Sequence, residues 1–443
     1  MKALQSTYFE NFAKLIISDL KDDEAMTISL NGEETFFARL SKAKVRQVTN
    51  IQQAHIDFAF IKGNKTISYN MPFSADQGDM LVALKKLSQA RDWIESLPDD
   101  PYLVRPKFYG VTKEENLLEL PKNEEMLGLI LNIASGVDLA GVFSSGDIVR
   151  ATINSEGQFH WFKTRNFYLD YSLYNEKQKA VKSLYAGAEW NANDLRANIV
   201  DSQHKLTLMD RPSKKIERGE YRVYLAPSAV GELLGTLSWG GVSMGAHQRG
   251  NGSLKDLWQK KKILSPLFTL KEDFSLGLTP RFNETGEVSP TELLLIEKGN
   301  YSNFLVSTRT ANEYKVETNF ASEWESMRSP VVSTGNLSRE DIYKEIGTGL
   351  YLSDLHYLNW SDRETARITG MTRYACFWIE NGEIVAPIED LRFDESYYSI
   401  FGEALEQVTS FSEISPATGS YFQREVGGLK APGLLLSKFK FTL

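Results

Sequence analysis

The 443-residue chain predicts an α+β fold, with N-terminal units of helix and curved sheet followed by a β-rich C-terminal domain. Three observations carry this. Phe9, Phe12, Ile16 and Leu20 recur at helical spacing, and Met80, Leu81, Leu84, Leu87, Ala90 and Ile94 do so again over Asp79–Leu97. Between these two stripes the apolar residues alternate with period two, the mark of half-buried strands. From residue 220 onward the chain turns glycine-rich and irregular, with aromatic and β-branched runs around an Asn-Gly pair.

Taken in order, the first helix is followed by strands expected at Ala25–Leu30, Glu34–Leu40 and Val45–Asn50. A further pair, Ala54–Ile61 and Thr66–Tyr69, is joined by Lys62-Gly63-Asn64-Lys65, a hairpin signal. Pro98-Asp-Asp-Pro101 stops the second helix. These elements form a unit over 1–100. Residues 101–122, rich in proline and charge, read as a connector. A second unit over 101–215 has helices at Glu124–Ser135 and Asn193–Met209 around strands Gly141–Ile153, Phe159–Thr164 and Phe167–Tyr174. Polar Asp210–Gly219 marks the boundary. The third unit, 216–443, opens with strand Glu220–Ala226 and a helix from Pro227. It carries a hairpin, Ala375–Glu380 and Ile384–Ile388, about Asn381-Gly382-Glu383. No repeat of solenoid or propeller length occurs.

Fifty Lys and Arg against 58 Asp and Glu leave a net charge of −8. A nucleic-acid binder needs a basic surplus or stripe, because phosphate contacts dominate its affinity, so direct nucleic-acid binding is not expected. The single cysteine, Cys376, permits no intrachain disulfide and no zinc ribbon, and fits a reducing cytoplasm. Glu10, Asn11 and Lys14 interrupt any signal-peptide core. Leu127–Phe143 and Ala226–Ala246 carry polar residues, glycines or proline, so no membrane span is expected.

Five histidines, at 55, 160, 204, 247 and 356, include no His-x-x-x-His pair. His247, in Met244-Gly-Ala-His-Gln-Arg-Gly-Asn-Gly-Ser253, reads either as a polar group of a Gly-rich binding loop or as a solvent-exposed loop residue. Asp354 and His356 share one face of an extended strand. They form either an acid–base couple or a local hydrogen bond that sets a tautomer. Asp362 and Arg363 read as surface salt-bridge residues, or as contacts to a peptide or partner chain. Cys376, among Tyr374, Phe377 and Trp378, reads as a buried, inert thiol. The glycines of 235–252 lack the Gly-x4-Gly-Lys-Ser/Thr pattern of a phosphate loop.

Gly347-Thr-Gly-Leu-Tyr-Leu-Ser-Asp-Leu-His356, with Phe377-Trp-Ile-Glu-Asn-Gly-Glu-Ile-Val-Ala-Pro387, resembles the TldD/PmbA family, and within it the PmbA (TldE) branch. That family has been described both as modulators of DNA gyrase and as peptide-processing metalloproteases. Its catalytic branch carries His-Glu-x-x-x-His on the helix after the first strand of the C-terminal domain, with a further Cys ligand from near the chain end. Two histidines one turn apart can face one zinc ion while the intervening glutamate activates its water. Here Gly231-Glu-Leu-Leu234 matches the apolar lead-in, which puts Gly235, Thr236 and Gly240 at the His, Glu and His positions. No cysteine follows Gly402.

The resemblance therefore implies a degenerate metalloprotease site and a chain inactive alone. It holds no cofactor, zinc being expected only in a TldD-type partner. It implies pairing with such a metalloprotease subunit, or with itself as a homodimer, and handling of unfolded peptide. Two alternatives stand beside this: a divergent metallopeptidase with ligands relocated to positions such as His247, Asp354 and His356, and a stand-alone homodimeric peptide-binding protein.

Overall fold

The computed structural model describes residues 2–117, 119–187 and 189–442. Helix α1 (Ser6–Ile17) leads into two very long strands, β1 (Glu24–Ser41) and β2 (Lys44–Lys62), and then β3 (Lys65–Pro72). The breaks expected near residues 31–33 and 51–53 do not occur. Asn31, Gly32 and Glu33 stay in the ladder opposite His55, Ala54 and Gln53. Gly32 is there for space rather than for a turn: a Cβ would lie 2.4 Å from Leu4 Cδ2. The hairpin at Gly63-Asn64 forms with Lys62 opposite Lys65. Helix α2 (Gln77–Ile94) starts on a reciprocal cap between Asp76 and Asp79 and ends ahead of Pro98.

The stretch expected as a connector contains strand β4 (Val111–Leu117). Its residues are almost all exposed on a sheet edge, so no apolar alternation announced it. Then come α3 (Asn123–Ile133), β5 (Asp138–Asn154), β6 (Phe159–Tyr174), β7 (Ala180–Gly187) and α4 (Ala192–Met209). Among the described residues these strands form one seven-stranded sheet in the order β3-β2-β1-β5-β6-β4, with β7 also on β6. The units expected at 1–100 and 101–215 thus share a single sheet through the β1–β5 ladder.

One face of this sheet is apolar. Met26, Ile28 and Leu30 of β1 pack under α1 and α2, while Phe36, Ala38 and Leu40 pack in a second cluster with α3 and α4. The opposite face presents Glu33, Thr35, Ser144, Thr152, His160 and Thr164, all buried. Loops of the C-terminal domain cover it: Ser29 Oγ donates to Glu284 O, and the ring of His160 stacks on Phe282 at 5.5 Å.

The C-terminal domain runs β8 (Gly219–Leu225), α5 (Pro227–Leu237), α6 (Met244–Gln248), α7 (Lys255–Trp258), β9 (Leu270–Asp273), β10 (Glu292–Glu297), β11 (Asn300–Tyr301), α8 (Thr308–Tyr314), β12 (Pro330–Val332), α9 (Ile342–Ile346), β13 (Gly349–Leu352), β14 (Asp354–Asp362), β15 (Arg367–Arg373), β16 (Phe377–Glu380), β17 (Glu383–Pro387), β18 (Arg392–Ser396), β19 (Leu405–Pro416) and β20 (Gly428–Phe441). Strand β8 lies at the centre of this second sheet, parallel to β13 and antiparallel to β20. The Asn381-Gly382 hairpin forms as expected, with both residues at positive φ, as a two-residue turn requires. No helix among the described residues is long and apolar enough to cross a membrane.

Candidate functional site

Helix α5 is set by Pro227 at its first turn and by the apolar positions Ala229, Val230, Leu233, Leu234 and Leu237, all buried in the main core cluster. The exposed positions, Ser228, Glu232, Gly235 and Trp239, follow at intervals of four, three and four. They make one exposed stripe that continues past the helix end. Strand β14 runs alongside. Ser228 Oγ donates to Asp354 Oδ1 at 2.6 Å at the start of both elements, and Arg363 Nη1 donates to Trp239 O at 3.1 Å at their far ends. Among the described residues β14 pairs only with β15, so its other edge carries no strand.

The N-terminal sheet closes the near end of this groove. Lys182 of β7 sits 3.5 Å from Asp170 of β6 and acts electrostatically on Asp354, Glu232 and His356. Asp354 is 7% exposed. Burial pushes its carboxyl up to about 7, against the pull of the Ser228 hydrogen bond and of Lys182. Glu232 opens to the groove yet is walled by protein, and desolvation raises its carboxyl too. Burial also works on the Lys182 ammonium, but Asp170 and Asp354 more than offset it and hold the group charged. The arrangement gathers one proton-holding carboxyl, one cation and a free strand edge at one site.

The positions matched to the metal-binding element lie on and just after α5, and they do not fit zinc. A Cβ on Gly235 would meet nothing within 4 Å, so the helix faces open space where a ligand side chain would stand. Thr236 points the other way. It is buried, and its Oγ1 donates back to Glu232 O at 3.2 Å. Gly240 has φ +89° in the turn after the helix. Among the described residues no group of three or more His, Cys, Asp or Glu side chains is placed to hold a metal ion. Cys376 is 2% exposed, its Sγ directed to Arg373 O, and burial pushes the thiol up to about 12.

Other expected site residues fall elsewhere. His247 is neither an exposed loop residue nor a groove residue. It lies on α6, 8% exposed, its Nε2 3.2 Å from Gly241 O and its ring packed on Phe304. Gly252 lacks a side chain where that ring sits. No hydrogen bond joins Asp354 to His356 among the described residues; Asp354 turns to Ser228, and His356 packs on Tyr357. Among the described residues Asp362 makes no ion pair. It accepts from Glu364 N and Thr365 Oγ1 and so shapes the β14–β15 turn, while Arg363 holds the end of α5. Ser228, Glu232, Asp170 and Lys182 were not picked out from sequence. The polar stripe on an otherwise apolar helix marks the first two. Nothing local marks the others, which reach the site from the N-terminal sheet.

A family model described as the PmbA/TldA metallopeptidase C-terminal domain matches residues 218–443, just over half of the chain and all of the domain that carries α5 and β14. The chain belongs to the PmbA/TldD family. The family's fold extends over the whole molecule. A Thermotoga maritima protein described as a candidate modulator of a DNA gyrase is 16% identical, with a TM-score of 0.79 over 98% of this chain and 100% of that one. TldE from Thermococcus kodakarensis is 16% identical, with a TM-score of 0.77 over 98% and 100%. A Bacteroides thetaiotaomicron protein, also described as a candidate modulator of DNA gyrase, is 14% identical, with a TM-score of 0.76 over 98% of each chain. No curated protein matches this PmbA/TldD chain.

Proposed function

We propose that this chain is a PmbA/TldE-like, non-catalytic subunit that pairs in the cytoplasm with a TldD-type zinc metalloprotease and serves peptide maturation or degradation. The observation that carries the reading is the chemistry of the α5 positions. Gly235, Thr236 and Gly240 offer no imidazole and no carboxylate at the positions matched to the metal-binding element, on a chain that keeps the family's C-terminal domain. A member of a family built on a hydrolase plan that lacks the ligands fits a wall, not a motor. The unpaired edge of β14 supports peptide capture, since an extended peptide can add to such an edge through main-chain hydrogen bonds. A relocated zinc site receives no support, because His247 is packed against Phe304 and Asp354 is bonded to Ser228.

The test is co-expression with a protein carrying His-Glu-x-x-x-His. The expected result is a stable complex that cleaves unstructured peptides and loses this activity to a chelator, with neither zinc nor cleavage in this chain alone. Chelator-sensitive cleavage by this chain alone would falsify the reading. A solution mass that stays at a homodimer in the presence of every candidate protease favours the stand-alone peptide binder.

A further inference from the structure

The loop between β19 and β20, residues 417–427, lies across the polar face of the N-terminal sheet. It is tied there at three places. Gln53 Nε2 donates to Phe422 O at 2.8 Å, Tyr168 Oη to Thr418 O at 3.2 Å, and Arg150 Nη2 to Arg424 O at 2.9 Å. Arg424 N in turn donates to Glu33 Oε1 at 3.3 Å. The backbone of Arg424 is thus clamped on both sides, and its side chain is driven into the seam between the domains, 4% exposed.

The guanidinium meets little there that suits a cation. Nη2 donates to the neutral Asn166 Oδ1, and the ring of Tyr168 lies 5.4 Å from the guanidinium carbon. Among the described residues Nε and Nη1 are buried with no acceptor, and the adjacent buried Gln423 Oε1 takes neither proton. Glu33, the nearby carboxylate, is engaged by Gln53 Nε2, Thr35 Oγ1 and the Arg424 amide, and forms no ion pair with either arginine. Two guanidiniums, Arg150 and Arg424, therefore face one carboxylate, a surplus of one positive charge. Burying an arginine with donors unmatched is costly, and an anion that completes the site offsets the cost.

We propose that Arg424 is the receptor of a small oxyanion, a phosphate or a carboxylate, held at the seam between the 417–427 loop and strands β5 and β6. Arginine favours such groups because each of its open N–H groups donates a charge-assisted hydrogen bond to an anionic oxygen. The ligand bridges loop and sheet, so it binds the closed seam in preference to an opened one. This stands apart from the subunit assignment: neither the metalloprotease partner nor the α5 groove enters it.

The full chain is assayed by calorimetric titration and thermal unfolding at constant ionic strength, with chloride as the reference. The probes are inorganic phosphate, an acetylated tripeptide with a free C-terminal carboxylate, and the same tripeptide as its amide. The expected result is saturable stabilisation with about one ligand per chain, weakened at least about tenfold in Arg424→Gln, the loss of a charge-assisted contact. Stabilisation by phosphate assigns a free anion. Stabilisation by the carboxylate peptide alone, and not by its amide, assigns a chain terminus. Asn166→Asp supplies a carboxylate beside Arg424, and it should raise the melting temperature while abolishing the response to either probe. The proposal fails if no probe stabilises the wild type beyond chloride, or if Arg424→Gln and Asn166→Asp respond as the wild type does; water is then sufficient for the buried arginine.

Discussion

Two buried side chains pull the pH dependence of stability in opposite directions. Asp354 is raised from its ordinary 3.8 to about 7 by burial, so the folded chain holds a proton that the unfolded chain has released. Its contribution is complete below about pH 4 and is lost as pH rises through 7. His160 is the reverse. It is wholly buried, with Nδ1 2.8 Å from Thr112 Oγ1, and burial lowers its ring from 6.5 to about 4. Its contribution is complete above 6.5 and is lost as pH falls toward 4. At about 1.4 kcal/mol for each pH unit between the two values, each group is worth a few kcal/mol, and in the wild type they largely cancel. Single variants separate them. Asp354→Asn keeps an acceptor for Ser228 and should make the protein more stable than wild type at pH 8 by about 2–4 kcal/mol, with no gain at pH 4. His160→Gln removes the opposing slope, so its stability should rise as pH falls from 6.5 to 4. Urea unfolding at pH 4, 6 and 8 measures both. A pH-independent difference for Asp354→Asn contradicts the burial argument.

At the scale of elements, glycines report what the backbone requires. Gly235 sits inside helix α5 with room for a methyl group, so Gly235→Ala should stabilise by about 0.5–1 kcal/mol through helix propensity. Gly240, at φ +89°, lies where a Cβ is strained, and Gly240→Ala should destabilise by about 1–2 kcal/mol. Opposite shifts of the urea midpoint are expected, and equal shifts sink this account of the helix end. The same logic explains what could be read from sequence. The hairpins at Gly63-Asn64 and Asn381-Gly382 and the helices around Phe9–Ile16 and Met80–Ile94 were legible, because turn chemistry and helical periodicity are local. The fusion of four expected strands into β1 and β2 was not, because Gly32 answers to Leu4, a contact set by tertiary packing. Edge strand β4 was hidden by its polarity. Half of the site was hidden as well: Asp170 and Lys182 join it only because β6 and β7 arrive there from the N-terminal sheet.

The whole molecule unfolds according to how its cores are shared. Sequence composition places a boundary near residue 216, and the family model begins at 218. The second core cluster crosses that line. Phe36, Phe143, Phe167, Leu169, Leu195 and Ile199 of the N-terminal sheet and helices pack in one apolar group with Tyr224, Tyr351, Phe377, Ile379 and Leu435 of the C-terminal sheet. Fully burying one such side chain contributes on the order of 1.5–3 kcal/mol, so cutting the chain here removes more than a marginally stable domain can lose. Around this apolar contact lies the polar seam, with the Arg309–Asp100 ion pair at 2.6 Å and the Arg424 loop. The seam adds register, and the apolar group adds cohesion. An excised 216–443 fragment is therefore expected to aggregate or to bind a hydrophobic dye strongly, whereas the full chain unfolds in one transition seen alike by circular dichroism and tryptophan fluorescence. Recovery of that fragment as a soluble monomer with a sharp melting transition would mean that the shared cluster is a contact surface between two independent domains.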